Sequence, residues 1–238
     1  MYRLIIIPLV FLLLIGSCSS KEKTKIAEGN IDVDSSIYIV PIGDVDVNYL
    51  KALVPKLQTR FTTDVYLALD KKIPVPENSF DYDKQQHVAM YILGDMYKKL
   101  KFPPNSKVLG VTDVDISTPA DLYSPETDTV FLFGLAFSKG NMALISIRRM
   151  DPRYYVGGKP NNELTIQRMQ KEAIHELGHL FGLDNVYDPG CVMFLPKNLR
   201  ELDRKTDNFC LECKKAFEEI NQNQKLKRSN FYGKNSLR

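Results

Sequence analysis

The hydrophobic residues of this chain fall into short β-rich runs that alternate with stretches in which apolar positions recur every three or four residues. Ile37-Tyr38-Ile39-Val40, bounded by Pro41 and Gly43, predicts a buried strand. Asp46 stands where an N-cap is wanted, and Val47, Leu50, Val54 and Leu57 share one face of the helix that should follow. Val65 to Leu69 predicts a second short strand. Beyond a loop carrying Pro74 and Pro76, the spacing of Val88, Ile92 and Met96 predicts a helix from about Asp83 to Leu100. Three further strands are expected at Val108 to Asp115, Val130 to Ala136 and Met142 to Arg148, the last two joined by a turn at Ser138-Lys139-Gly140-Asn141. A helix from about Glu163 to Phe181 carries Ile166, Met169, Ala173, Leu177 and Leu180 on its core face, and Gly182 follows where a left-handed C-cap belongs. With no internal repeat and no long linker, residues 35–220 are expected to form one domain of the α/β (α+β) class.

The two ends differ from this body. Arg3 precedes the apolar run Leu4 to Ile15, which at twelve residues is shorter than the ~20 that a helix needs to span a bilayer core. Small residues come next, as in a secretory signal, and Ile15-Gly16-Ser17-Cys18 resembles a bacterial lipobox. That resemblance implies cleavage before Cys18 and lipidation of the new terminus. Residues 1–17 are then a lipoprotein signal peptide and 18–34 a polar tether. The mature chain is expected in the cell envelope, anchored by lipid to a bacterial membrane on its periplasmic or extracellular face. Residues 221–238, with five basic and no acidic side chains, predict a solvated basic tail.

Composition narrows the partners. At 44% hydrophobic and 26% charged residues the chain is neither disordered nor collagenous. Lys plus Arg total 32 against 29 for Asp plus Glu, a near balance that offers no footprint for nucleic acid. Only three histidines exist, His87, His175 and His179, so any imidazole metal site has few candidates.

Two of them stand in His175-Glu176-Leu177-Gly178-His179. On a helix this spacing puts both imidazoles on one face a single turn apart, within reach of one metal ion, with Glu176 beside them. Zinc suits such ligands and leaves a position open for water. A carboxylate placed there can accept the proton of a zinc-activated water and pass it to a leaving amine, which is peptide hydrolysis. Gly182 extends the motif to H-E-x-x-H-x-x-G, where a sharp turn lets a residue three further on face the metal.

Downstream lie Cys191-Val192-Met193 and Phe209-Cys210-Leu211-Glu212-Cys213. With the long motif, and with Phe131 to Ala136, Ile145 to Arg148 and Asp151 to Tyr154 before it, these residues resemble the archaemetzincins, a family of metzincin-like zinc peptidases. The resemblance covers about 35–215. It implies a metzincin-like fold: a small mixed sheet, an active-site helix and a cysteine-bearing helical segment at the C-terminal side. It implies that His175 and His179 are catalytic zinc ligands, that Glu176 is general base and acid, and that Met193 forms the turn beneath the metal. Cys191, Cys210 and Cys213 match three of the four thiolates of a second, structural zinc. A sheet edge near Phe131 to Ala136, or in the strand after it, is expected to receive a peptide substrate as an added strand.

Two positions depart from the family pattern. Its third catalytic histidine is here Asn185, and its first structural cysteine is Val186. Asn185 supplies a neutral oxygen, a poorer zinc ligand than imidazole. Asp184 is an anionic alternative, Asp188 is one for either metal, and His87 is the remaining histidine. The cysteines admit a disulfide as well as a metal, although with Cys18 lipidated a disulfide would strand one of the three. The sequence therefore predicts a membrane-anchored zinc metallopeptidase, aminopeptidase or endopeptidase, acting on peptides. Its alternative is a catalytically weakened lipoprotein that keeps the fold to bind peptides.

Overall fold

The computed structural model describes residues 36–118 and 131–222. The predicted signal peptide, Cys18, the tether, Val130 and nearly all of the basic tail lie outside the described residues. Strands β1 (Ile37–Ile42), β2 (Val65–Leu67), β5 (Lys107–Thr112), β7 (Gly134–Phe137) and β8 (Met142–Ser146) form one mixed sheet in the order β2-β1-β5-β8-β7. The first four are parallel, with Ile39 opposite Leu109 and Leu109 opposite Ala143. β7 runs antiparallel at the edge, Gly134 facing Ile145.

The strands read as continuous apolar runs because both faces of the sheet are covered. Ile37, Ile39, Leu109, Val111, Ala143 and Ile145 point into a core shared with α1 (Val47–Phe61) and α3 (Asn162–Leu180). Their alternates Val40, Ile42, Val108, Met142 and Leu144 pack on α2 (Ala89–Lys99). α1 begins where the sequence placed it, with the Asp46 carboxylate accepting from the Asn48 amide. α3 is capped by Asn161, which accepts from Leu164 N–H. Gly182, at φ 95°, ends it as expected: the Leu183 amide donates to the Gly178 carbonyl and the Gly182 amide to that of His179. The turn between β7 and β8 is also where the sequence predicts it, closed by Asn141 in the left-handed region.

Several boundaries differ. The helix expected from Asp83 starts only at Ala89, because Asp81 Oδ1 accepts from the Asp83 and Lys84 amides and Gln85 takes φ 54°. That hairpin joins β3 (Phe80–Asp81) to β4 (Gln86–Val88), which with β6 (Ile116–Ser117) makes a second, three-stranded sheet. His87 therefore lies on a strand. The run from 108 ends as a strand at Thr112, and Leu69 belongs to a 3-10 turn instead of β2. α4 (Leu199–Arg204) is a helix the apolar pattern did not reveal, and residues 211–222 form α5. Among the described residues, no helix is long and apolar enough to cross a membrane.

Candidate metal centre

α3 carries His175, Glu176 and His179 into the region between the edge strand and the C-terminal turns. The His175 Nδ1 donates to the Val192 carbonyl at 2.9 Å, and the His179 Nδ1 to the Leu183 carbonyl at 2.8 Å. A carbonyl can only accept, so both Nδ1 atoms carry the proton and both Nε2 atoms are left to bind something else. Those Nε2 atoms face each other at 3.2 Å, with the two rings perpendicular. Two nitrogens bound to one tetrahedral zinc at 2.0–2.1 Å would be separated by about 3.3 Å, so the pair fits that ion. Burial, the Lys205 charge and the neighbouring His179 hold the His175 imidazole well below its ordinary pKa, which keeps it neutral and able to ligate.

The turn after α3 explains His179. Because Gly182 adopts a positive φ, the chain reverses and brings the Leu183 carbonyl onto the His179 ring. Met193, which the family resemblance implies as the methionine of the turn, packs against α3 at Gly178. It is fully buried, and a β-carbon on Gly178 would meet its sulfur at 2.5 Å. A glycine between the two histidines thus admits the methionine.

Glu176 is buried against the edge strand. A β-carbon on Gly134 would lie 2.7 Å from its Oε1. Burial and the nearby Glu172 push its carboxyl well above the ordinary range, and Lys205 opposes them. A carboxyl so placed is suited to taking and returning a proton.

The remaining candidates are not gathered here. Among the described residues, no third His, Cys, Asp or Glu joins His175 and His179 in a cluster, so the structure does not bring Asp184 or Asp188 to the pair. Asp188 instead accepts from the Gly190 amide, and both aspartates and Asn185 are exposed on the loop after Gly182. His87 pairs with Ser79 on β4, away from the helix.

Cys191, Cys210 and Cys213 are free thiols whose sulfurs all lie within 4.8 Å of one another. Cys191 Sγ accepts from the Met193 and Cys210 amides. Burial pushes the Cys210 thiol up, but hydrogen bonds from the Cys213 amide and the adjacent thiols carry it below its usual value. Burial raises Cys191 and Cys213. Three soft sulfurs converging in this way fit a thiolate-bound zinc, and Asp188 is not part of the cluster. Gly134, Glu172 and Lys205 carry no signal in the sequence, since a glycine in a strand, an acid in a helix and one lysine among 32 basic residues acquire meaning only through long-range packing.

A mixed sheet with an antiparallel edge strand beside a His-Glu-x-x-His helix, closed by a glycine turn over a buried methionine, defines a metzincin-like zinc metallopeptidase. Comparison with known proteins narrows the class. Residues 41–219 match peptidase family M54. The archaemetzincin of Pyrococcus furiosus is 33% identical over 192 residues, spanning 77% of this chain and 92% of that protein. A zinc-dependent peptidase from Methanocorpusculum labreanum superposes with a TM-score of 0.64 at 30% identity, over 76% of this chain and 99% of the other. An archaemetzincin from Archaeoglobus fulgidus, crystallised with malonate, gives 0.61 at 28% identity over 76% and 98%. The chain belongs to peptidase family M54, as a zinc metallopeptidase of archaemetzincin type.

Proposed function

We propose that this chain hydrolyses peptide bonds with Glu176 as its proton carrier and His175 and His179 as its principal zinc ligands. We further propose that the mature protein is lipid-anchored through Cys18 at the cell envelope. The observation that carries the catalytic reading is the facing pair of Nε2 atoms at 3.2 Å, each ring oriented by a backbone carbonyl. When bound, zinc supplies a Lewis acid that polarises the scissile carbonyl and makes water a better nucleophile. Glu176 accepts a proton from the attacking water and returns it to the amine as the C–N bond breaks. Gly134, having no side chain, leaves the space that carboxyl occupies. β7 lies at the sheet edge, whereas β8 is interior, so an extended substrate adds as a strand along β7.

Asn185 favours a second reading. With a neutral amide at the third-ligand position and, among the described residues, no acidic substitute clustered with the histidines, a protein that binds peptide strands without cleaving them is the alternative. Purified chain lacking residues 1–18 separates the two. The peptidase reading expects zinc bound at the histidine pair, cleavage of a peptide library, and loss of cleavage with metal retained in Glu176→Gln. Cleavage that persists in that variant overturns the assigned role, and a metal-free, inactive wild type favours the binding module. For the anchor, incorporation of labelled fatty acid in the host should disappear in Cys18→Ala.

A further inference from the structure

Lys205 is an anomaly behind the active-site helix. It follows α4 directly, its side chain is 0% exposed, and it is among the largest fully buried side chains of the protein. A buried ammonium is unfavourable unless its donors are matched. Lys205 Nζ lies 3.4 Å from Glu172 Oε2, in a carboxylate side chain itself only 3% exposed, and donates at 3.2 Å to the Phe194 carbonyl. Phe194 immediately follows Met193, so one contact reaches the turn beneath the histidines. The other reaches α3 one helical turn before Glu176.

Glu172 and Glu176 stand at i and i+4 on α3, neighbours one turn apart, and both side chains are buried. Gly134 packs directly against the Glu176 side chain. Glu176 thus packs against a strand with no side chain at that point, and its neighbour one turn back on α3 is itself ion-paired. Nothing else among the described contacts of Glu172 fixes its outer oxygen. Apolar residues of similar volume would serve packing at least as well as a buried lysine and glutamate. Retaining the charges makes sense if they direct a group that must be aimed.

We propose that Lys205 is a positioning residue for the peptidase reaction, holding Glu172 so that Glu172 in turn aims the Glu176 carboxyl toward the histidine pair, while its bond to Phe194 keeps the methionine turn in register with α3. This inference rests on the reading of Glu176 as the proton carrier. Lys205 is not itself a group of the reaction; it acts on Glu176 through Glu172 and on the methionine turn through the Phe194 carbonyl.

The test uses the mature chain with zinc restored and compares Lys205→Met, Lys205→Arg, Glu172→Gln and the double variant Lys205→Met/Glu172→Gln. The double variant leaves no lone buried charge and safeguards the experiment should Lys205→Met alone fail to fold. Each is measured for zinc per chain, melting temperature, kcat and KM on a fluorogenic peptide, and the carboxyl ¹³C resonance of Glu176, assigned by its loss in Glu176→Gln. The expected result is a fall in kcat of at least tenfold in Lys205→Met and in the double variant, with KM changed less than twofold and zinc content kept. The Glu176 resonance should move in the same variants, and Lys205→Arg should restore part of both. Unchanged kcat, or an unmoved Glu176 resonance, in a folded and zinc-loaded double variant overturns the proposal. A wild type that cleaves nothing would sink the peptidase reading instead. The resonance would still decide whether Lys205 aims Glu176, supporting that if it moves and refuting it if it does not.

Discussion

Gly134 and Glu176 share a space that only one side chain can occupy: a β-carbon on the glycine would come within 2.7 Å of both the Cγ and the Oε1 of the glutamate. The atoms that would have to yield run from Cγ to the carboxyl of a buried side chain, with no backbone among them, so Gly134→Ala should fold with Glu176 displaced. Its cost in stability is expected to be about 1 kcal/mol. The displaced carboxyl loses its alignment, and a misplacement of ~1 Å can lower turnover by about 100-fold. Parallel denaturation and kinetic measurements check this. A variant as active as wild type would mean that Glu176 works from a different position.

Asn185 stands where the family pattern has its third histidine, exposed on the loop after Gly182. Both histidines are already oriented by carbonyls, so a third imidazole would add to a prepared pair. Replacing a neutral amide by imidazole should therefore tighten zinc by more than tenfold, since even an outer-shell partner of a metal ligand is worth about 10–100-fold. Competition with a chromophoric chelator measures the change in Asn185→His. Turnover should rise with occupancy at limiting zinc and converge with wild type at saturation.

The sequence carried the parts of this site that depend on local spacing. Histidines at i and i+4, the glycine three residues later and the Cys-x-Met turn are readable because helix periodicity and a positive φ follow from residue type. The long-range parts are silent. Lys205 reaches Glu172 across 33 positions and Gly134 meets Glu176 across 42, contacts set by how α4 and β7 pack on α3. The hairpin at Phe80 to Val88 was hidden for a related reason: Val88, Ile92 and Met96 keep helical spacing, yet the Asp81 side chain captures the amides that a helix would need. The same competition moved His87 from a helix to a strand.

His87 gives a pH signature separate from the metal. Its Nδ1 donates to Ser79 Oγ at 2.7 Å, and Ser79 donates onward to the Pro76 carbonyl. Burial holds its imidazole below the ordinary value of 6.5, with Asp115 opposing. The unfolded chain then takes up the proton first. The stability this neutral ring contributes is fully present above about 6.5 and is lost as pH falls through the folded value. With only three histidines, its ring proton should be resolved by NMR and titrate with a depressed midpoint. His87→Gln should flatten the dependence of unfolding free energy on pH just below 6.5.

Arg168 joins α3 to α4 with its Nε and Nη2 both donating to Asp203, at 2.7 Å each, and its Nη1 donating at 2.8 Å to the Met150 carbonyl. The two partners differ in burial: the Arg168 side chain is 8% exposed and that of Asp203 38%. Removing the carboxylate leaves a buried cation, whereas removing the guanidinium leaves an anion that water can reach. Asp203→Ala should therefore cost about 3 kcal/mol and Arg168→Met about 1–2 kcal/mol, less than a fully buried pair because Asp203 is already partly hydrated. Urea denaturation of both variants orders them, and the reverse order would mean that the packing of the arginine stem outweighs its charge.

The thiol cluster should hold a second zinc with only three protein ligands. Cys191, Cys210 and Cys213 converge within 4.8 Å, and two backbone amides point at the Cys191 sulfur, a pattern that stabilises thiolate. Where the family pattern has a fourth cysteine this chain has Val186, whose side chain cannot ligate, so solvent is left to complete the tetrahedron. Such a site is more open to exchange than a four-thiolate one. The wild type should carry two zinc ions per chain by elemental analysis. Cys210→Ser should carry one, with cleavage activity surviving in proportion to the fold that remains. Val186→Cys should slow the release of the second zinc to a chelator by at least tenfold while leaving metal at the histidine pair unchanged. A single zinc in the wild type that survives in Cys210→Ser would mean that these sulfurs hold no zinc, and that the turn bearing Met193 is held in place by packing and hydrogen bonds alone.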